Sequence, residues 1–221
     1  MEGAAVVRVR PASGKPSPWI PRLAFALCCA PILSIAVRIA LGKLSANPIE
    51  GALNRLGWWT LTLLLCSLAC TPLQLVLGWK WPLRLRRLLG LFAFFYACCH
   101  FLTYAGLDQQ FNLGEIWKDV VKRKFITVGM ATLLLLIPLA VTSTNKMMRR
   151  LGFPRWKLLH RLAYVAGITG VVHFVWRVKA DLREPLIFAA VLGVLLCVRI
   201  IDRFRKSLAI KARGDRSMVS S

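Results

Sequence analysis

The sequence predicts an all-α integral membrane protein, a bundle of six transmembrane helices with both termini in the cytoplasm. Of its 221 residues 57% are hydrophobic and only 18% charged, with a mean hydropathy of +0.59. A soluble chain of this length could not hide so much apolar surface in one core, and a disordered chain would be poor in it. Six stretches meet or approach the roughly 20 apolar residues that a spanning helix requires. The basic residues also divide unequally between alternate connectors, as topology determinants do.

The spans are expected at Ile20–Leu41, Thr60–Leu77, Leu88–Leu107, Phe125–Thr142, Leu158–Trp176 and Pro185–Ile201. The first is too long for a signal-peptide core, and Pro31 is tolerated within a membrane helix, so it reads as a retained span. The longest connector, from Asp108 to Lys124, joins the third and fourth spans. The chain divides into an N-terminal segment (1–19), a membrane domain (20–205) and a basic tail (206–221). No internal repeat or low-complexity tract is visible.

Lys and Arg number 31 against 9 Asp and Glu, a net charge of +22. With the N-terminus inside, 20 of the basic residues fall on the cytoplasmic side, 10 fall outside, and Arg161 lies within the fifth span. The excess is spread over short connectors beside anionic lipid, so nucleic acid is not the expected partner.

All three histidines fall inside spans: His100 in the third, and His160 and His173 in the fifth. Ionisable side chains are costly in lipid and usually mark a functional pathway. Helix–helix hydrogen bonding and a proton relay are the simpler uses. Depth favours a third. Both spans run outward, and His100 and His173 reach similar heights in the outer half, where two neutral imidazoles can ligate one haem iron axially. Zinc suits the pattern less well, because no His/Cys cluster supplies four ligands.

His160 precedes His173 by 13 residues, or about 20 Å of helix, which suits a second haem deeper in the bundle. The rotation suits it less, being about 140° off an ideal helix face, and Gly167 and Gly170 are candidates for a local irregularity. Arg86, 14 residues before His100 and within about 40° of its face, is either the missing ligand, a partner for a haem propionate, or a snorkelling topology residue. Arg87 points elsewhere.

The seven cysteines (Cys28, Cys29, Cys66, Cys70, Cys98, Cys99 and Cys197) form no C-x-x-C and read as small apolar side chains, which excludes covalent c-type haem. Trp58, Trp59, Trp79, Trp81, Trp117, Trp156 and Trp176 read as an interfacial aromatic belt, with Trp176 a candidate border for a haem edge. No nucleotide-binding or hydrolase motif occurs.

Three blocks carry a family resemblance: Arg86-Arg87-Leu-Leu-Gly-Leu-Phe-Ala-Phe-Phe-Tyr96-Ala-Cys-Cys-His100; Lys122-Arg-Lys-Phe-Ile-Thr-Val-Gly129 with Pro138-Leu-Ala-Val-Thr-Ser143; and Trp156-Lys-Leu-Leu-His160-Arg161-Leu with His173-Phe-Val-Trp176. Together they resemble the MsrQ (formerly YedZ) family of the ferric-reductase-like transmembrane group, over about residues 20 to 205. The resemblance implies an inner-membrane subunit that carries one or two haem b groups, with FMN also attributed to the family. It implies electrons taken from the quinone pool or a cytoplasmic flavin reductase and delivered to a periplasmic MsrP-type molybdopterin enzyme that reduces methionine sulfoxide in proteins. His100, His160 and His173 are then the metal ligands, with Arg86 beside the cofactor, and no catalytic residue is expected on this chain. The connector around Asp108, Glu115 and Asp119 is a candidate partner contact. The alternatives are a self-contained ferric or oxygen reductase and a proton-coupled transporter.

Overall fold

The computed structural model describes residues 19–43, 45–178 and 181–219, with side chains through 210. The N-terminal segment, with its Arg8, Arg10 and Lys15, and the outer Lys179 lie outside the described residues. The described chain is helical, with six helices long and apolar enough to cross a membrane. It is a multi-pass membrane protein. In hydrocarbon a helix satisfies its own backbone, so packing can rest on small side chains and a few interhelical hydrogen bonds.

Helix α1 (Trp19–Ala40) is peripheral and contains Pro31. At the rung beside the proline, the buried Tyr96 hydroxyl is inserted into the helix. It accepts from the Ile32 amide at 3.0 Å and donates to the Cys28 carbonyl at 2.8 Å. One side chain thereby repairs the ladder that the proline disturbs and fixes α1 to the third span.

Helix α2 (Pro48–Leu77) is the central element, with 44% of its apolar window buried against 17% in α1 and 11% in the last helix. It starts twelve residues before the expected span because Asn47 caps it, accepting from the Glu50 amide, with Pro48 in the first turn. Glu50, Asn54 and Arg55 dilute the hydropathy there without interrupting the helix. Trp58 and Trp59 consequently lie about three turns inside α2. Trp59 packs on the core and Trp58 meets Phe188 edge-on, so neither is a belt residue. Gly78, at φ 72°, closes the helix in the left-handed conformation.

Helix α3 (Pro82–Leu102) runs back beside α2 and ends in a π-helical turn, Thr103–Asp108. Much of the connector expected after it is helix α4 (Leu113–Lys122), capped by Asn112. Helix α5 (Lys124–Val141) matches the fourth expected span. Two short helices, α6 (Asn145–Leu151) and α7 (Phe153–Leu159), lead to α8 (Leu162–Arg177).

The fifth span is thus broken at His160–Arg161, while α8 runs unbroken through Gly167 and Gly170. These glycines do not supply the irregularity. They admit close packing, since a Cβ on Gly167 would meet Leu68 at 3.1 Å and one on Gly170 would meet Leu61 at 3.3 Å.

Helix α9 (Arg183–Val219) extends well beyond the sixth expected span, so the tail is helical from 206 to 219. Arg199, near the end of the sixth expected span, is partly buried in the bundle. Its guanidinium donates to the Tyr164 hydroxyl and, at 2.5 Å, to the Leu68 carbonyl, tying α9 to α8 and α2.

Candidate functional site

Helices α2, α3, α5 and α8 enclose two cavities towards opposite ends of the bundle, the second also walled by α6 and α7, and Leu64 and Leu136 line both. His100 and His173 line one of them. Their rings stand nearly perpendicular, at 86°, with centres 6.3 Å apart. The Nδ1 of His100 lies 2.9 Å from the Leu53 carbonyl, and the Nδ1 of His173 lies 2.7 Å from the Phe125 carbonyl. A carbonyl oxygen can only accept, so each ring carries its proton on Nδ1 and keeps its lone pair on Nε2.

This is the arrangement that metal-ligating histidines use, with the second ring nitrogen donating to a carbonyl that fixes tautomer and orientation. A metal–imidazole bond is about 2 Å and the ring centre about 1 Å further, so two rings on opposite sides of one metal have centres roughly 6 Å apart. The observed pair fits that spacing. Among the described residues no three His, Cys, Asp or Glu side chains converge as a metal site. A haem iron asks the protein for only the axial donors. The pair fits a haem.

The rest of that cavity is mainly apolar, with charge at its mouth. Arg177 lies 3.9 Å from Glu50, and Arg123 lies 3.1 Å from Asp119, which also accepts from the Tyr104 hydroxyl at 3.1 Å. Trp176, expected beside the cofactor, is 52% exposed and does not line the cavity, whereas Trp58 does. Sequence reasoning also missed Gly57 and Gly129, which face the two rings from the supporting helices. A Cβ on Gly129 would lie 2.7 Å from the Nδ1 of His173, and one on Gly57 would lie 3.2 Å from the Cε1 of His100.

His160 and Arg86 are brought together around the second cavity, along with Arg87 and Trp156. The helix break falls at His160 itself, and continuous α3 presents Arg86 to the same space. Trp156 stacks on the His160 ring with centres 4.1 Å apart and donates its indole N–H to the Thr142 carbonyl at 3.0 Å. It is a wall of this site as well as an interfacial residue. The Thr142 hydroxyl gives its single proton to the Pro138 carbonyl at 2.6 Å, so at 3.2 Å it accepts from the Nε2–H of His160. The His160 lone pair is therefore on Nδ1, the reverse of the other two histidines. Arg87 donates to Asn145 at 3.0 Å.

Residues 56–171 match the family model described as the ferric reductase like transmembrane component. The chain is 53% identical over 206 residues to the "Protein-methionine-sulfoxide reductase heme-binding subunit MsrQ" of Rhodospirillum rubrum, covering 93% of this chain and 96% of that protein. It is 47% identical over 189 residues to the protein of the same name from Herminiimonas arsenicoxydans, covering 85% and 87%. With that of Deinococcus radiodurans it shares 50% over 159 residues, covering 72% and 78%. The match covers His100 and ends two residues short of His173, the identities span most of both chains, and the chain belongs to the MsrQ family of ferric-reductase-like membrane proteins.

Proposed function

We propose that this chain is the haem-binding membrane subunit of a protein-methionine-sulfoxide reductase. It conducts electrons from the quinone pool or a cytoplasmic flavin reductase to a periplasmic MsrP-type molybdopterin enzyme, where methionine sulfoxide is reduced. The observation that carries this reading is the His100–His173 pair, two neighbouring, nearly perpendicular imidazoles with both Nδ1 atoms held by backbone carbonyls. The names of the relatives support the cofactor and the reductase.

His100 and His173 would hold the first haem through Nε2, with the Leu53 and Phe125 carbonyls orienting them. Haem b, when bound, supplies a one-electron carrier whose potential is set by its axial ligands and its burial. The apolar walls keep water from the iron, while Arg123 and Arg177 at the mouth offer charge to acidic substituents. A second haem belongs to the cavity of His160, with Arg86 as its other neighbour. Arg86 and His100 are 14 residues apart on α3, or about 21 Å, so the two sites together cross much of the bilayer. The excess of Lys and Arg around the termini orients the second cavity towards the cytoplasm and the first towards the periplasm, in the inner membrane of a bacterium.

The test is haem stoichiometry with the visible spectrum of the detergent-purified chain. The expected result is a b-type spectrum and two haems per chain by pyridine haemochrome. A correctly inserted, colourless protein that still supports methionine-sulfoxide repair would overturn the reading.

A further inference from the structure

The hairpins that deliver His100 and His173 follow one pattern, a repeat that the sequence alone did not reveal. Advancing α2 by 72 positions brings Gly57 onto Gly129, Thr60 onto Thr132 and Leu64 onto Leu136, and all of these line the paired-histidine cavity. Advancing α3 by 73 positions brings Ala97 onto Gly170, His100 onto His173 and Phe101 onto Phe174, again all in its walls. The hydrogen bonds repeat too, because each histidine meets the carbonyl four residues before the glycine of its supporting helix.

In an α-helix that carbonyl already accepts from the amide four residues on, which here is the glycine's own. A second lone pair is available to the imidazole, provided that nothing projects from the glycine across its path. A Cβ on Gly129 would meet the His173 Nδ1 at 2.7 Å and its Cε1 at 2.8 Å. A Cβ on Gly57 would meet the His100 Cε1 at 3.2 Å and its Nδ1 at 3.3 Å. Neither glycine has a positive φ, so space rather than backbone freedom explains them. Gly167 serves as a contrast. It is also tightly packed, with Leu68 at 3.1 Å and Leu192 at 3.4 Å, but its neighbours are aliphatic.

We propose that Gly57 and Gly129 are paired positioning residues: each is the seat that lets a ligand histidine lie against the backbone of the neighbouring helix, one from each copy of the hairpin. The inference rests on the haem reading of this cavity. The seats fix the tautomer and the ring angle, so they act through His100 and His173 rather than by touching the iron.

The experiment compares the full-length wild type with Gly129→Ala, Gly57→Ala and Gly167→Ala in detergent, by haem titration and by electron paramagnetic resonance of the oxidised protein. Disturbing an outer-shell partner of a metal ligand costs about 10–100-fold in affinity. Gly129→Ala is expected to lose first-haem affinity on that scale and to lose the low-spin bis-imidazole signal. Gly57→Ala shows the same change at smaller amplitude, because its clearance is greater, and Gly167→Ala keeps the wild-type signal. If Gly129→Ala does not insert, Gly57→Ala decides by the same readouts. A wild-type signal and affinity in the seat variants, or an equal loss in Gly167→Ala, would overturn the seats while leaving the haem reading intact. A wild type with no low-spin signal would overturn both.

Discussion

The two cavities share walls from α2, α3, α5 and α8, with α6 and α7 added at the second, and are held in different ways. At the first, one imidazole comes from each hairpin, both protons are parked on backbone carbonyls, and both Nε2 lone pairs are free. At the second, a single imidazole stacks on Trp156 and gives its Nε2 proton to Thr142, facing arginines instead of a second histidine. One end is organised symmetrically for two equal axial donors. The other joins one donor to fixed positive charge. A cation near the iron favours the reduced state, and the first cavity's Arg123 and Arg177 are paired with Asp119 and Glu50, so the haem beside Arg86 should be the easier to reduce, apart from the effect of its ligands.

Removing the lone imidazole should have the largest effect. His160→Ala is expected to reduce haem content from two per chain to one and to leave the first haem's low-spin signal intact. Loss of both haems would show that the sites are not independent. Thr142→Val comes next, since it removes the hydroxyl that orients His160. A loss of about 10–100-fold in second-haem affinity is expected, measured by titrating haem into apo-protein, and unchanged affinity would remove Thr142 from the site. Arg86→Ala should shift the spectrum and midpoint potential of the second haem alone, and an unchanged potential would leave Arg86 as a topology residue. The smallest effect is expected far from both irons. Tyr96→Phe removes the hydroxyl bridging Ile32 and Cys28 and should cost about 1 kcal/mol or less, read from thermal unfolding in detergent. An unchanged midpoint would show that α1 closes its own ladder.

Much of this was legible in the chain, because membrane helices declare themselves through length and apolarity and because three histidines among 221 residues stand out. The six spans and the meeting of His100 with His173 follow from counting residues along ideal helices. What counting misses is set by local geometry. The start of α2 depends on the Asn47 cap and Pro48, which a hydropathy window cannot weigh. Helix α4 is amphipathic and so looks like a connector. The break at His160 is a backbone event that ideal-helix counting does not contain, and the sequence offered Gly167 and Gly170 for it instead. Arg199 reads as one more basic residue at a span end until Tyr164 and Leu68 are seen around it. The spacing Gly57-x-x-Thr60-Leu61 recurs as Gly129-x-x-Thr132-Leu133. It was the one available sign of the histidine seats, and it is too short to register as a repeat without the cavity to align it.

The central claim is that one haem is held jointly by α3 and α8. Reduced-minus-oxidised visible spectra with haem quantification on His100→Ala, His173→Ala and the double variant test it most directly. Each single variant should lose the same haem, and the double variant should lose no more than either one. If either single variant kept its full complement and a wild-type low-spin signal, or if the double variant lost the sum of two distinct species, the shared ligation would be contradicted.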